Sequence, residues 1–133
     1  MKRNRSRRLA LVAVVALGIV VSALVPTGDA VARTGPFGLG LDLWLHALAY
    51  AVLEATVLAA FVDSADVAGE GSPVEPSITR NLTTLPVVTA YGALIEGVQF
   101  LVPYRHASVP DALANAFGAG AILAGWLLYV RLR

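Results

Sequence analysis

Ionisable and amide side chains occur inside long apolar segments of this 133-residue chain. Glu96 and Gln99 lie three residues apart in one such segment, and Asp111 and Asn115 lie four residues apart in another. Side chains at these spacings project from the same face of a helix, so each pair is expected to share a face. A charged side chain at the centre of a membrane costs about 3 kcal/mol on insertion scales, and such residues usually face a bundle interior and mark a functional site.

A third set of polar residues has helical spacing as well. Asp42, His46 and Tyr50 follow one another at intervals of four residues. This spacing places them within an arc of about 80° on one helix face. Histidine and carboxylates can pass protons near neutral pH, so we predict acid or base roles for His46, Glu96 and Asp111.

Arg105 is the residue best suited to bind an anion, because its planar guanidinium can hold a phosphate or carboxylate through two parallel hydrogen bonds. Its alternatives are a side chain that reaches outward to the membrane surface, or one that pairs internally with Glu96 or Asp111. We expect Arg105 and His106 to form the rim of the site. The other predicted ligand contacts are Gln99, Asn115, Asp42 and Tyr50.

A metal site would need three or four convergent ligands. The residues that could supply them are Asp42, His46, Glu96 and Asp111. The sequence has no paired ligand motif such as H-E-x-x-H, so we expect neither a metal nor another cofactor. It also has no cysteine, no Gly-rich phosphate loop and no Ser-His-Asp arrangement. The N-terminal arginines are better explained by membrane orientation and anionic lipid than by nucleic acid.

The segments that carry these residues are long enough to cross a membrane. Hydrophobic residues make up 57% of the chain and charged residues only 14%, against roughly 25% charged in soluble domains. A helix that crosses a bilayer needs roughly 17 to 25 apolar residues. Four such runs occur, at 9–25, 41–62, 82–102 and 109–130. The predicted fold class is therefore all-α, a four-helix transmembrane bundle in a single domain covering residues 1–133.

The distribution of Lys and Arg predicts the orientation in a cell membrane, because these residues resist translocation. Those that would lie on one side of a four-span bundle are Lys2, Arg3, Arg5, Arg7, Arg8, Arg80, Arg131 and Arg133. Only Arg33 and Arg105 would lie on the other side. Both termini and the Pro- and Gly-containing loop 63–81 are therefore predicted to be cytoplasmic, and the polar layer is predicted to face outward.

The first segment has a second interpretation. Ser6-Arg7-Arg8 before an apolar run resembles a twin-arginine export signal, and Ala30-Val31-Ala32 resembles a cleavage site. We favour a retained helix, because the run 9–25 is uninterrupted by charge and three further spans follow it. In either case the second segment would still enter the membrane from outside.

Several of these residues also have a purely structural interpretation. Ser108-x-x-Asp111 is a helix-capping box, so Asp111 could serve only the start of its helix. A neutral Glu96 could be hydrogen-bonded to Asn115 or His46 and serve only to pack helices. Glu54 lies about 18 Å along its helix from Asp42 and roughly 120° off that face, so we do not expect it in the polar layer.

Taken together, the polar residues resemble those of the VanZ-like membrane proteins. The resemblance covers about residues 42–120, and its third motif is the most specific. The motifs are His46-x-x-x-Tyr50, Glu96-x-x-Gln99 and Arg105-x-x-Ser108-x-x-Asp111-x-x-x-Asn115-x-x-Gly118. Leu43 departs from the Lys that often follows the Asp in this family. The resemblance implies a small multi-pass protein whose founding members are linked to resistance against lipophilic glycopeptide antibiotics, and it implies no particular reaction.

From the residues and the resemblance we expect a membrane protein whose outward-facing polar pocket binds or processes the polar or anionic headgroup of a membrane or cell-envelope lipid. The alternative is a non-catalytic assembly protein whose polar residues only hold helices or a partner together. An enzyme would need a nucleophile or an activated water, and the sequence identifies neither. Four short spans without a discontinuous pair of helices argue against transport, unless the protein forms an oligomer.

Overall fold

The computed structural model describes residues 2–26, 33–61, 81–105 and 108–132. Within these ranges the chain forms four α-helices and no strand, which confirms the predicted all-α fold. The helices are α1 (Lys2–Leu24), α2 (Leu41–Phe61), α3 (Thr84–Phe100) and α4 (Val109–Arg131). The parts of the earlier predictions that lie outside the described residues are the loop 63–80, the cleavage site at 30–32, Arg80, His106 and Arg133.

Three of the helices are long and apolar enough to cross a membrane. Their spanning segments are Asn4–Leu24, Leu41–Phe61 and Val109–Arg131. α3 has 17 residues and ends before the predicted boundary at residue 102. The amides of Leu101 and Val102 bond to carbonyls three residues back rather than four. Val102 precedes Pro103, whose ring disfavours a helical conformation in the preceding residue, so the chain leaves the helix early.

α1 begins earlier than predicted, because the basic cluster belongs to the helix instead of flanking it. The helix starts at Lys2, seven residues before the predicted start at residue 9. Lysine and arginine are good helix formers, so an apolar run preceded by them can extend into water without a break. Arg8 Nη1 donates to the carbonyl oxygen of Ala59 at 2.9 Å and joins the start of α1 to the end of α2.

The helices alternate in direction. The end of α1, the start of α2, the end of α3 and the start of α4 therefore meet at one end of the bundle. α1 and α3 run in the same direction, and the Tyr91 hydroxyl donates to the carbonyl of Ala16 between them at 2.7 Å. The buried apolar residues that form the core are Ile19, Ala23, Tyr50, Leu53, Val57, Val88, Ile95 and Ala119.

α2 and α4 form the most extensive helix contact. Gly118 lies in this contact, and a Cβ atom at that position would overlap the backbone carbonyl of Ala47. Small residues allow helix backbones in membranes to approach each other closely. The close approach at Gly118 brings His46, the neighbour of Ala47, next to Asn115, which lies one turn before Gly118 on α4.

The segment before α2 folds back over the first turn of that helix. The amide of Leu41 donates to the carbonyl of Arg33 at 2.8 Å. The indole N–H of Trp44 donates to the carbonyl of Pro36 at 3.1 Å. These bonds fix the start of α2 and with it the position of Asp42, which lies in the first turn.

Candidate functional site

A pocket of about 510 Å³ lies at the end of the bundle where α1 ends and α2 and α4 begin. Six of the eight predicted site residues line it: Asp42, His46, Tyr50, Gln99, Arg105 and Asp111. Its apolar walls come from α1, α2 and α3, and are formed by Ile19, Ala23, Leu45, Ala49 and Ile95. The remaining two predicted residues, Glu96 and Asn115, are buried beside His46.

The side chain of His46 on α2 lies next to polar side chains from two other helices. Its Nδ1 lies 3.0 Å from Asn115 Oδ1, which joins α2 to α4. The same nitrogen lies 3.9 Å from Glu96 Oε1 on α3, which forms an ion pair when the imidazole is protonated. Glu96 is 7% exposed and Asn115 is 2% exposed. The structure therefore brings together the three polar side chains that the sequence places on separate helices.

The second oxygen of Glu96 is bound to the start of α4. Oε2 accepts a hydrogen bond from the backbone N–H of Ser108 at 3.3 Å. The N-terminus of a helix carries a partial positive charge, which stabilises a carboxylate placed there. Glu96 is thus oriented by one oxygen, while the other oxygen faces His46.

The predicted capping box at the start of α4 is only half formed. Ser108 is the N-cap residue, and its hydroxyl oxygen accepts from the amide of Asp111 at 3.3 Å. In a complete box the side chain of Asp111 would accept from the amide of Ser108. That amide donates to Glu96 instead. The carboxylate of Asp111 is therefore directed to the pocket, which it lines.

Buried polar atoms without a hydrogen-bond partner mark this region, although such atoms are rare in folded proteins. Within the described part of the chain, those around the buried polar cluster include Glu96 Oε1, Asn115 Nδ2 and Tyr50 Oη. Each is a group that a ligand or water could satisfy. The carboxylate oxygen is the one that faces the other ionisable groups.

Three of the ionisable residues are close enough to share one ligand. His46, Glu96 and Asp111 each offer one donor atom, and these atoms lie within 4.8 Å of one another. Asp42, the fourth metal ligand that the sequence suggested, lines the pocket but is not part of this group. The cluster therefore combines one imidazole and two carboxylates from three different helices.

Arg105 binds the end of α1, a role that the sequence analysis did not predict. Its Nη2 donates to the carbonyl of Ser22 at 2.6 Å and also to the carbonyl of Val25. Pro26 has no N–H, so the Ser22 carbonyl lacks the donor four residues later that a continuing helix would provide. Arg105 supplies this donor from the turn after α3, and it lines the pocket from there.

Two further side chains hold the same helix end. The Tyr104 hydroxyl donates to the carbonyl of Leu24 at 2.9 Å. The Gln99 amide donates to the carbonyl of Ala23 at 3.3 Å. α1 is thereby fixed as one wall of the pocket. This wall was not predicted from the sequence, because the apolar part of α1 contains no ionisable residue.

Tyr50 forms the inner wall of the pocket and is almost fully buried. Gly92 makes room for its ring: a Cβ atom at Gly92 would lie 2.9 Å from Tyr50 Cε1 and 3.3 Å from Asn115 Nδ2. The ring also packs against Tyr91, with 6.4 Å between the ring centroids. Tyr50 is therefore mainly a packing residue that presents one edge to the pocket.

Glu54 belongs to a separate buried contact. It is fully buried and accepts a hydrogen bond from the hydroxyl of Thr84 at the start of α3. That hydroxyl also lies 2.7 Å from the carbonyl oxygen of Asn81. Glu54 does not line the pocket. It joins α2 to the start of α3, whereas Glu96 lies near the end of α3.

No family model, curated protein or solved structure matches the chain. The resemblance to VanZ-like proteins therefore stays a prediction that depends on the motifs quoted above. The function has to be inferred from the pocket itself.

Proposed function

We propose that the protein binds the polar headgroup of a membrane or cell-envelope lipid in this pocket. The observation that carries the proposal is the mixed lining, in which ionisable groups share a pocket of about 510 Å³ with apolar walls. This volume lies within the range of roughly 300 to 1,000 Å³ that is usual for small-molecule sites. A lipid has the matching chemistry, because its headgroup is polar and its adjoining chains are apolar.

The charges in the pocket favour a headgroup that contains a phosphate. The guanidinium of Arg105 lines one part of the pocket, and the carboxylates of Asp42 and Asp111 line another. A phosphate oxygen would be bound by Arg105, and amine or hydroxyl groups of the headgroup would donate to the carboxylates. The other ligand contacts in this proposal come from Gln99 and Tyr50, which line the pocket. Asn115 is buried behind them and acts through its contact with His46.

The proposed orientation places the pocket on the outer side of the cell membrane and both termini in the cytoplasm. Arg5, Arg7 and Arg8 on α1 and Arg131 on α4 lie at the end of the bundle opposite the pocket. Basic residues at the ends of spans favour the cytoplasmic side. All four helices would span the bilayer in this arrangement, including the shorter α3.

His46, Glu96 and Asp111 would supply acid and base groups if the bound headgroup were also processed. In a hydrolysis, a water held between Glu96 and His46 would add to the headgroup phosphorus and pass its proton to the carboxylate or the imidazole. The same group would return the proton to the leaving oxygen as the P–O bond breaks. Binding of the headgroup comes before this step and is the function we propose.

A non-catalytic assembly role is the competing proposal, and specific contacts favour it. The bonds from His46 to Asn115 and from Ser108 to Glu96 each join two helices. Residues that serve only such packing would lower the stability of the protein when replaced, whereas binding residues would lower affinity in a protein that remains folded.

Lipid binding by the purified protein in detergent tests the proposal. The probes are phosphatidylglycerol, phosphatidylethanolamine and phosphate-free diacylglycerol, measured by native mass spectrometry. We expect the two phospholipids to bind and Asp111→Asn or Asp42→Asn to weaken binding of at least one of them by about 10- to 100-fold, as loss of a charge-assisted hydrogen bond implies. The matched control is Glu54→Gln, which changes a buried carboxylate outside the pocket.

The proposal would be abandoned if diacylglycerol bound as tightly as the phospholipids, or if both pocket variants bound like the unchanged protein. A thermal unfolding curve for each variant separates loss of binding from loss of folding. A variant that melts like the unchanged protein but binds weakly identifies a binding residue.

A further inference from the structure

We propose that His46, Glu96 and Asp111 form a binding site for a divalent transition-metal ion. Their donor atoms lie within 4.8 Å of one another, although they come from α2, α3 and α4. Exposed acidic residues often cluster by chance, but Glu96 is buried and is held in place through its Oε2. The three donor atoms therefore lie close together because three helices pack against one another, and not because acidic residues are crowded on the surface.

The distances fit a metal site that closes when the ion binds. Bonds of about 2.0 to 2.2 Å in a tetrahedral zinc site put the ligand atoms roughly 3.3 to 3.6 Å apart. In the structure the three donor atoms all lie within 4.8 Å of one another. A movement of about 1 Å by the carboxylate side chains, which rotate about single bonds, brings the three donors to the distances that such a site requires.

A second observation points to a ligand at the same place. Glu96 Oε1 is buried and has no hydrogen-bond partner within the described part of the chain. The other carboxylate oxygen, Oε2, accepts a hydrogen bond from the amide of Ser108, and Oε1 faces His46. A buried carboxylate oxygen without a partner is unfavourable, and coordination of a cation would remove this unfavourable state.

Asn115 provides the outer support that metal-binding histidines usually have. Its Oδ1 lies 3.0 Å from Nδ1 of His46. An imidazole that donates one N–H to an oxygen acceptor presents its other ring nitrogen in the unprotonated form that binds metals. Asn115 thereby sets both the orientation and the tautomer of the proposed ligand.

The ligand set selects the kind of ion. Imidazole favours transition metals such as Zn²⁺, whereas Mg²⁺ and Ca²⁺ prefer sites built entirely of oxygen. Three protein ligands leave at least one coordination position open, as in catalytic zinc sites. His46 and Asp111 line the pocket, so the open position faces it.

The ion would also explain how an anion can enter a pocket rich in carboxylates. Asp42 and Asp111 line the pocket with Glu96 directly behind, and Arg105 is the cation that the structure places in the lining. A bound dication would offset the negative charge and offer its open position to a phosphate oxygen. This role in headgroup binding rests on the proposed function, whereas the metal site itself does not.

Metal binding can be measured without any lipid. The full chain, free of affinity tags and treated with a chelator, would be titrated with Zn²⁺ in competition with a chromophoric chelator. We expect one ion per chain. Replacement of an outer-shell residue typically weakens metal affinity about 10- to 100-fold, so His46→Ala, Glu96→Gln and Asp111→Asn should each weaken it by at least about 100-fold. Glu54→Gln is the matched control and should bind Zn²⁺ like the unchanged protein.

Spectroscopy with Co²⁺ provides a readout that a merely structural role would not change. Coordination by His46 and the two carboxylates should give visible absorption bands that disappear in the three variants and persist in Glu54→Gln. The inference is overturned if the chain binds less than one Zn²⁺ at micromolar concentrations, or if the three variants bind it like the unchanged protein.

Phospholipid binding with and without Zn²⁺ separates this inference from the proposed function. Metal binding without phospholipid binding would support the metal site and overturn the proposed function. Phospholipid binding that is identical in chelator and in Zn²⁺, with no ion bound, would overturn the metal site and leave the proposed function standing.

Discussion

His46 on α2 and Asn115 on α4 are joined by a 3.0 Å contact between Nδ1 and Oδ1, although 69 residues separate them in the sequence. The contact is possible because Gly118 lets the two helix backbones approach within one turn of Asn115. It fixes the imidazole at the centre of the polar cluster, between the carboxylates of α3 and α4.

Asn115→Ala should affect both stability and metal binding. Removal of the amide leaves a ring nitrogen of His46 without its acceptor, which should lower the free energy of unfolding by about 1 to 3 kcal/mol. The same change frees the imidazole to rotate and should weaken Zn²⁺ binding about 10- to 100-fold. Denaturant titration and Zn²⁺ competition measure the two effects. Asn115→Asp keeps an acceptor for His46, so if it bound Zn²⁺ as weakly as the alanine variant, the orienting role would be wrong.

Gly118→Ala should destabilise the bundle. The new Cβ would overlap the carbonyl of Ala47, and backbone atoms cannot move aside as a flexible side chain can. Overpacking of this kind costs about 1 to 3 kcal/mol. The matched control is Gly125→Ala on the same helix, where no atom of the described chain lies within 4 Å of the added Cβ. The two variants should differ clearly in thermal midpoint, and equal midpoints would contradict the close contact of α2 and α4.

Gly92→Ala should change phospholipid binding in the pocket more than it changes the stability of the fold. Its Cβ would lie 2.9 Å from the ring of Tyr50, which must move toward the pocket to relieve the overlap. We expect phospholipid binding to weaken by about tenfold, the equivalent of 1.4 kcal/mol. Gly97→Ala on the same helix is the control, since its Cβ would contact nothing within 4 Å. If both variants bound phospholipid equally, Tyr50 would not limit the pocket.

Arg105→Ala should loosen the end of α1. Loss of a hydrogen bond from a charged donor costs about 1.5 to 3 kcal/mol, and here it exposes the Ser22 carbonyl that Pro26 leaves without a helical donor. Pro26→Ala restores a backbone N–H at this position. The effect of Arg105→Ala on the unfolding free energy should therefore be smaller in the Pro26→Ala background. A double-mutant cycle with zero coupling energy would rule out this explanation.

Length and composition were sufficient to predict the helices, and helical spacing was sufficient to group most of the site. The apolar runs placed the start of α2 and the start of α4 at the observed residues, Leu41 and Val109. Intervals of three and four residues correctly put Glu96 and Gln99 on one buried face of α3. These features depend on the spacing of residues along a helix, which can be read from the sequence.

The contacts of Arg105 and Glu96 could not be predicted in the same way. Each binds backbone atoms of another element, the carbonyls at the end of α1 and the amide of Ser108. Backbone groups carry no residue-specific signal, so their partners depend on how the helix ends are placed in space. Pro26, four residues after Ser22, has no backbone N–H. It was the one feature of the local sequence to indicate that the Ser22 carbonyl needs a donor from another element.

The bonds from Arg105, Tyr104 and Gln99 to the end of α1 have a mechanical consequence. These bonds come from α3 and the turn that follows it, so the end of α1 cannot shift relative to that turn without breaking them. Any displacement of α1 that preserves the bonds would carry the guanidinium of Arg105 along, and the shape of the pocket wall and the position of its cation would change together.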